Sequence, residues 1–536
     1  VTPPEVSVVV PVHNAMPYLV TCLSSAMEQS IGRSRVEVVA VDDGATDGSA
    51  EQLDILARYW DNLKVVHQNN SGGPSRPRNV GLDHATGRFV FFLDADDYLG
   101  PEALERMVAL ADAQEADVVA CRRKGVGGRK AHGPAVVKMR HSGLDAEVFD
   151  SAVRRSPLLQ DWTPLLVASA DCKNLYRVAF LNALNLRFQE DIHFGEDYMF
   201  GSACVKHGKV VMVDDYDCYY DRLRDDGRNG TTLYGATEMH LEAVERGLRL
   251  REEFDEPLWR RDQSLRDGLM DLTQFVFNER FPQREPEVRR RMMAGARELL
   301  GDWLNPRAWT RMPALDRVKA ALIERDRDYE LCELIRAAAA GVRAKDVVRD
   351  GRVYGGYRYF GDPEVGVPDD CYDVTAELQV RHHLTALTWE GTRLRLAGHA
   401  YVEHVDTIDV TTELVLRDKL GRAERRWPVT VVPTPGLAED VGQGHYEYGL
   451  AGFEAEIDLA DAGDARPLPG GTWSAFLAVR VQGVCQEVPV GGHRDSSIDE
   501  AALVRVPIPA GAPGAVVVSA YFTSYGTLTL DAGPAD

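Results

Sequence analysis

Three carboxylates, Asp94, Asp96 and Asp97, follow directly on the apolar run from Phe89 to Leu93. Packed this closely they repel one another unless a cation offsets their charge. A hard divalent ion such as Mg2+ or Mn2+, with oxygen ligands and positions left open for substrate phosphates, suits them. The apolar run reads as a strand buried on both faces of a parallel sheet. In open α/β sheets, ligands bind beyond the carboxyl ends of the strands. The spacing therefore predicts an Asp-X-Asp metal–diphosphate site. The plainer alternative is an acidic strand end leading into a helix N-cap ahead of Pro101-Glu102.

The elements around this stretch must position it. Val6 to Asn14 is a strand running into a turn, with Pro11 ending its ladder pairing and His13 and Asn14 at its end. A helix is expected from Tyr18 to about Gln29. Val36 to Val41 is a second strand ending in Asp42-Asp43, with Gly44 for a tight turn and Thr46 or Asp47 as cap of a helix from Ser49. A third strand near Leu63 to His67 leads into a Gly/Pro-rich loop over 69–81. The order is βαβαβ with polar residues after each strand, a doubly wound, Rossmann-like half-fold for nucleotides. A helix from Pro101 to Gln114 and a strand from Asp117 to Cys121 follow. The basic, Gly-rich stretch from Arg122 to Lys130 is either a solvated loop or a groove for a phosphate chain. Glu196-Asp197 opens a helix over Tyr198 to His207, where acids suit the helix dipole.

The chain has 536 residues, enough for two to four domains. Its net charge of -22 argues against non-specific nucleic-acid binding. No apolar run is long enough for a transmembrane helix, and no signal peptide is expected at Val1, a start without Met. The eight cysteines are scattered without a CxxC pair, which points away from thiolate metal sites and disulfides and toward a reducing cytoplasm. From Thr237 to about Val348 the periodicity is helical, with helices expected at Glu242 to Glu253, Asp262 to Glu279 and Glu285 to Leu300. A Gly/Tyr/Pro-rich boundary from Gly351 precedes segments of period two, which read as a β-sandwich. His399 and His404 are five residues apart; on one strand that spacing sets them on opposite faces, about 16 Å apart, too far to share a zinc ion.

Four stretches carry a resemblance when taken together: Pro11-Val-His-Asn14, Val41-Asp-Asp-Gly44, Gly72-Gly-Pro-Ser-Arg-Pro-Arg-Asn79 and Leu93-Asp-Ala-Asp-Asp97. In this order and spacing they resemble the motifs of family-2 GT-A glycosyltransferases. The Gly-Gly-Pro-Ser form and Lys124-Gly-Val-Gly-Gly-Arg129 are similar to the TarS-type wall teichoic acid enzymes, which attach N-acetylglucosamine to poly(ribitol phosphate). The resemblance covers Val6 to Tyr220 well and the rest loosely. It implies a GT-A domain over 1–235, a helical linker domain over 236–355 and a β-sandwich over 365–536.

The resemblance also implies roles. Asp43 would accept the uracil imide N–H, unless it is a turn or cap carboxylate, and backbone near Pro11 and His13 would frame the base. Arg78, placed in the Gly/Pro-rich loop, would approach the diphosphate, as a planar guanidinium suits phosphate oxygens. Asn70 or Asn79 would bond base or sugar. Asp94 would contact ribose or donor sugar, Asp96 would hold Mn2+ or Mg2+, and Asp97 would be structural. In Asp171-Cys-Lys-Asn-Leu-Tyr-Arg177, Lys173 would face the donor phosphates or serve structure alone. Glu196 would lie at the donor and Asp197 would be the base of an inverting transfer. Glu190 and Arg129 would meet the acceptor. Tyr219 to Thr231 reads as a glycine-hinged lid from which Arg224 and Arg228 reach phosphates. The family pattern has a His there that this chain lacks.

The implied reaction moves a sugar, N-acetylglucosamine first, from a UDP-sugar to an anionic cell-wall polyol-phosphate polymer. It would run in the cytoplasm or peripherally at the inner membrane face, in a homo-oligomer such as a trimer, joined through the β domain. Two alternatives stand beside it. One keeps the fold with UDP-galactose, UDP-glucose or UDP-N-acetylgalactosamine and another surface polysaccharide. The other is a non-catalytic glycan-binding protein on a transferase scaffold.

Overall fold

The structure, a computed structural model, describes residues 3–128, 148–149, 171–192, 195–213, 215–226, 238–252, 258–419, 423–440, 445–461, 468–498, 505–508, 516–523 and 526–534. The chain divides into two compact units, Val1–Thr310 and Arg311–Asp536.

In the first unit β1 (Val6–Val12), α1 (Leu19–Met27), β2 (Val36–Asp43), α2 (Ser49–Ala57), β3 (Leu63–Gln68), α3 (Ser75–His84) and β4 (Phe89–Phe92) make the expected βαβαβ start. Then come β5 (Tyr98–Leu99), α4 (Ala103–Ala113), β6 (Val118–Cys121), β7 (Arg123–Val126), β8 (Val148–Phe149), β9 (Leu175–Arg177), α5 (Val178–Ala183), α6 (Glu196–His207), β10 (Val210–Val213) and β11 (Tyr219–Arg222). The main sheet has the order β3-β2-β1-β4-β9-β6-β10-β8. Strands β3, β2, β1 and β4 run parallel, and β9 lies antiparallel between β4 and β6. A second sheet, β5-β11-β7, is formed by the short strands.

The parallel strands lack polar alternation because both faces are covered. Val6, Val8 and Val10 of β1 enter one core with Leu19, Leu23 and Leu53, whereas Val9 enters the other with Leu82, Val90 and Phe92. Each such side chain contributes about 1.5–3 kcal/mol relative to exposure. Gly81 lets α3 lie close on β1: a Cβ there would sit 2.3 Å from Val9 Cγ1. The helices α7 (Glu238–Glu252), α8 (Leu258–Asp271) and α9 (Pro286–Trp303) also belong to this unit. The helix expected through Glu279 ends earlier, where α8 passes into a π-helical turn over Leu272–Val276.

The second unit opens with α10 (Ala314–Glu324) and α11 (Asp328–Ala339), then a hairpin of β12 (Val347–Arg349) and β13 (Arg352–Tyr354). The helical stretch read over 236–355 is thus divided between the two units at Thr310. Two antiparallel sheets follow. One has the order β14 (Val380–Glu390), β15 (Arg393–Val402), β19 (Gly452–Asp458) and β18 (Thr430–Val432). The other has the order β17 (Glu424–Pro428), β16 (Thr411–Asp418), β20 (Gly471–Val481), β24 (Leu528–Pro534), β23 (Val516–Phe522) and β22 (Arg505–Ile508), with β21 (Val484–Pro489) on β20. Leu384, Leu394 and Leu396 of the first share one core with Leu414, Leu477 and Leu530 of the second, which makes a sandwich.

The two histidines weighed for zinc do not share one strand. His399 lies on β15 with its ring 5.8 Å from that of His383. His404 follows the strand, at φ 66, and meets the buried Asp346 at 3.4 Å. None of the eight cysteines forms a disulfide. Among the described residues no helix is long and apolar enough to cross a membrane.

Candidate active site

The polar ends of β1, β2 and β4 converge with α3 and α6 at the carboxyl edge of the main sheet. Asp94 and Asp97 emerge from β4 into a cluster of buried cations. Lys173 Nζ lies 3.3 Å from Asp94 Oδ2, 3.3 Å from Asp97 Oδ2 and 2.7 Å from Asp221 Oδ1, and 4.8 Å above the Tyr219 ring. Asp97 also accepts the Tyr219 hydroxyl at 2.6 Å and the Arg222 backbone N–H at 2.7 Å. It therefore joins β4 to β11, the structural role expected of it. Lys173 is enclosed among these acids, and this cage is the position the structure gives it.

Arg78 is the largest departure from the sequence reading. It sits in the first turns of α3, not in a loop, because Pro74 and Pro77 fall at the helix start, where a missing N–H costs little. Its side chain is 4% exposed and bridges two carboxylates: Nη1 donates to Glu196 Oε1 at 2.8 Å and Nη2 to Asp94 Oδ1 at 2.9 Å. The guanidinium also stacks on Phe188 at 5.2 Å. Both ends of the fork are therefore engaged by protein, and Arg78 ties the end of β4 to the start of α6. Asp94 in turn is a bridging acid between Arg78 and Lys173. Burial would raise its carboxyl, but Lys173 and Arg78 outweigh burial and hold it well below the usual carboxylate range.

The bridge sets Asp197 at the opening of α6, one residue after Glu196. Burial, Glu196 and Asp171 push the Asp197 carboxyl up to about 7, against the pull of Arg78. One of its oxygens accepts the Tyr198 N–H at 2.7 Å. Asp96 behaves similarly: burial and the carboxylates Asp97 and Asp94 push it up to about 7. It faces the Arg224 guanidinium at 4.0 Å, a longer contact than those at Asp94. A partly buried carboxylate held against like charges is a site that a divalent cation stabilises, and Asp96 fits that description. Among the described residues no three His, Cys, Asp or Glu side chains form a closed ligand set. A metal there would take its remaining ligands from elsewhere.

Asp43 anchors the loop after β3. Its oxygens accept Gln68 Nε2 at 2.6 Å, the Ser71 N–H at 3.0 and 3.1 Å and Ser71 Oγ at 2.9 Å. A base contact at Asp43 would have to share this engaged carboxylate. Gly44, at φ 69, brings the next turn against Asn70, where a Cβ would sit 2.8 Å from the Asn70 nitrogen. His13 Nδ1 lies 2.9 Å from the Asp43 carbonyl, and Asn70 Nδ2 lies 3.4 Å from His13 Nε2. Pro11 pairs in register with Val41 inside the ladder, so the strand runs past it to Val12. The Asn79 side chain donates to the Phe188 carbonyl and accepts the Phe188 N–H, both at 2.9 Å, and Nδ2 also donates to Glu190 Oε1 at 3.0 Å. That is how Glu190 is placed beside α3.

The stretch read as a lid begins as a strand. Tyr219 to Arg222 form β11, fixed between β5 and β7. Arg224 stacks 5.1 Å above Tyr18, donates to the Asn14 carbonyl at 3.2 Å and pairs with Asp226 at 2.7 Å. Arg129 and Arg228 lie outside the described residues. The sequence reading missed Asp221, Tyr219 and the Arg123–Asp171 pair at 2.5 Å. The alternation in Tyr219-Tyr-Asp-Arg222 held a signal, since Tyr219 and Asp221 share one face of a strand.

Three family descriptions match the chain in order. Glycosyl transferase family 2 covers residues 7–181, the glycosyl transferase TarS linker domain covers 242–335 and TarS beta-glycosyltransferase C-terminal domain 1 covers 372–532. The poly(ribitol-phosphate) beta-N-acetylglucosaminyltransferase TarS of Staphylococcus aureus is 32% identical over 45% of this chain and 40% of its own length. The poly(ribitol-phosphate) beta-glucosyltransferase of Bacillus spizizenii is 29% identical over 45% of this chain and 36% of its own. The chain therefore aligns with about two fifths of these relatives. The crystal structure of S. aureus TarS superposes with a TM-score of 0.57 at 21% identity, over 99% of this chain and 86% of that one. S. aureus TarS 1-349 in complex with UDP-GlcNAc superposes with a TM-score of 0.54 at 24% identity, over 68% of this chain and 98% of that one. A stretch matching glycosyl transferase family 2 is thus followed, in order, by stretches matching the linker domain and the C-terminal domain 1 described for TarS.

Proposed function

We propose that this chain is an inverting, metal-dependent transferase that moves N-acetylglucosamine from UDP-N-acetylglucosamine to a poly(ribitol phosphate)-type polymer, with Asp197 as general base. The observation that carries the reading is the placement of Asp197. Its neighbour Glu196 is clamped through Arg78 to Asp94 at the donor end of β4, and its own carboxyl titrates near neutrality. A base with a pKa near the working pH is ionised often enough to act and basic enough to take a proton.

In this reading the acceptor hydroxyl attacks the anomeric carbon while its proton passes to the Asp197 carboxylate. The bond from that carbon to the UDP oxygen breaks, and UDP leaves with the electron pair. A single displacement inverts the carbon and needs no protein nucleophile. A divalent cation held by Asp96 together with the donor diphosphate would offset the charge gathering on departing UDP. Lys173 and Arg78 keep Asp94 ionised and fixed, so that β4 presents a rigid edge to the donor. The β1 and β2 ends, with His13, Asp43 and Asn70, frame the nucleoside.

The donor and acceptor classes are supported by the two poly(ribitol-phosphate) transferases to which the chain is similar. Since one of them names a glucosyl transfer, UDP-glucose is the second donor to test. Such nucleotide donors place the reaction on the cytoplasmic side of the membrane, and light scattering checks self-association of the β module. The deciding experiment is UDP release with Mn2+, Mg2+ or a chelator across UDP-sugars, with and without poly(ribitol phosphate). Polymer-stimulated, metal-dependent release with UDP-N-acetylglucosamine is expected. Metal-dependent UDP binding without turnover of any donor would overturn the reading in favour of a binding protein.

A further inference from the structure

The small sheet β5-β11-β7 has an inner and an outer face. Tyr219 and Asp221 turn inward, 0% and 1% exposed, to the Asp97 and Lys173 cluster. By strand alternation Tyr220 and Arg222 share the outer face. The register sets Tyr220 beside Tyr98 on one side and beside Lys124 on the other. The Tyr98 and Tyr220 rings stack at 4.7 Å and 6°. The Arg222 guanidinium lies 5.2 Å above Tyr98 and 5.0 Å above Tyr18, and Tyr18 carries Arg224, which reaches Asp96 at 4.0 Å. Cations and phenols thus run in one row from Lys124, whose side chain is 58% exposed, to the proposed metal-binding carboxylate.

We propose that this row is the docking track of the acceptor, a linear phosphate–polyol chain, with Lys124, Tyr220, Tyr98 and Arg222 as contact residues. The inference rests on the transferase reading above for the acceptor class. Ammonium, guanidinium and phenol hydroxyl groups are the donors that phosphodiesters and polyol hydroxyls take. The acids nearby leave room for this. Asp217 takes Arg122 at 2.6 Å and is 3.9 Å from Lys124, a long contact that a phosphodiester displaces readily because water and salt screen it. A nucleic acid fits worse. The chain carries -22 charges, which disfavours a nucleic-acid backbone.

The test uses the full chain and the variants Lys124→Glu and Tyr220→Ser. Binding of poly(ribitol phosphate) is measured without donor, and the KM values for polymer and for UDP-N-acetylglucosamine are measured in turnover. The expected result is a rise of about 5-fold in polymer Kd and KM for Lys124→Glu, with donor KM unchanged. Polymer affinity unchanged in both variants, with wild-type transfer intact, overturns the track and leaves the transferase reading standing. Variant-sensitive polymer binding without transfer by the wild type supports the track and overturns the reaction. No polymer binding by the wild type overturns both.

Discussion

Two regions of this chain are built from the same residue types and use them differently. At the end of β4, Arg78 and Lys173 hold Asp94, Asp97, Asp221 and Glu196 at 2.7–3.3 Å. On the β16-β17 face of the second unit, Arg417 and Arg426 hold Glu413, Glu424 and Glu487 at 2.6–3.0 Å. The distances do not separate them; burial does. The first pair of cations is 4% and 9% exposed, the second 31% and 36%. Exposed pairs are screened by water and salt and replaceable. Buried pairs have lost their hydration, so removing one partner strands the other. In the buried cluster Lys173 and Arg78 hold Asp94 well below the usual carboxylate range.

The sharpest way to break this contrast is at Asp197. Asp197→Asn should lower transfer about 10^3-fold while calorimetry shows UDP-sugar affinity unchanged. Next comes the bridge. Arg78→Ala leaves Glu196 and Asp94 without their shared cation, at about 3–5 kcal/mol of stability in urea unfolding. Arg78→Lys should recover part of this, though one ammonium cannot span both acids as the fork does. Smaller in size is a pH effect of defined sign. Asp197 titrates near 7 when folded and near 3.8 ordinarily. Between these values the folded chain holds more protons, so this group's contribution to stability falls as pH rises through that window and stays lost above it. Asp197→Asn should therefore melt higher than wild type at pH 8, with the gap closing toward pH 4. Arg426→Ala marks the other pole: a change within about 1 kcal/mol, weaker still in 1 M salt, with turnover untouched.

Much of this was legible in the sequence because the signals are local. The apolar runs ending in polar residues gave β1, β2 and β4 and located Asp43, Asp94 and Asp96 at one sheet edge, and period two gave the sandwich. What was not legible depends on distant partners. Arg78 looked like a loop residue free for phosphate because Gly72-Gly-Pro reads as a turn; its two acids lie 16 and 118 positions away in the chain. Asp221 looked like part of a lid because its cation, Lys173, is 48 positions away. Asp43 read as a ligand or a cap, and the hydrogen bonds from Ser71 and Gln68 that occupy it appear only when β3 pairs beside β2.

The most direct test of Asp197 as the base is kcat for polymer transfer between pH 5 and 9, at saturating metal, donor and acceptor, for wild type and Asp197→Asn. The expected wild-type curve rises with pH to a plateau above about 7, and the variant shows a low, flat line. A variant that keeps wild-type turnover, or one that keeps the same rising limb, would contradict the assignment.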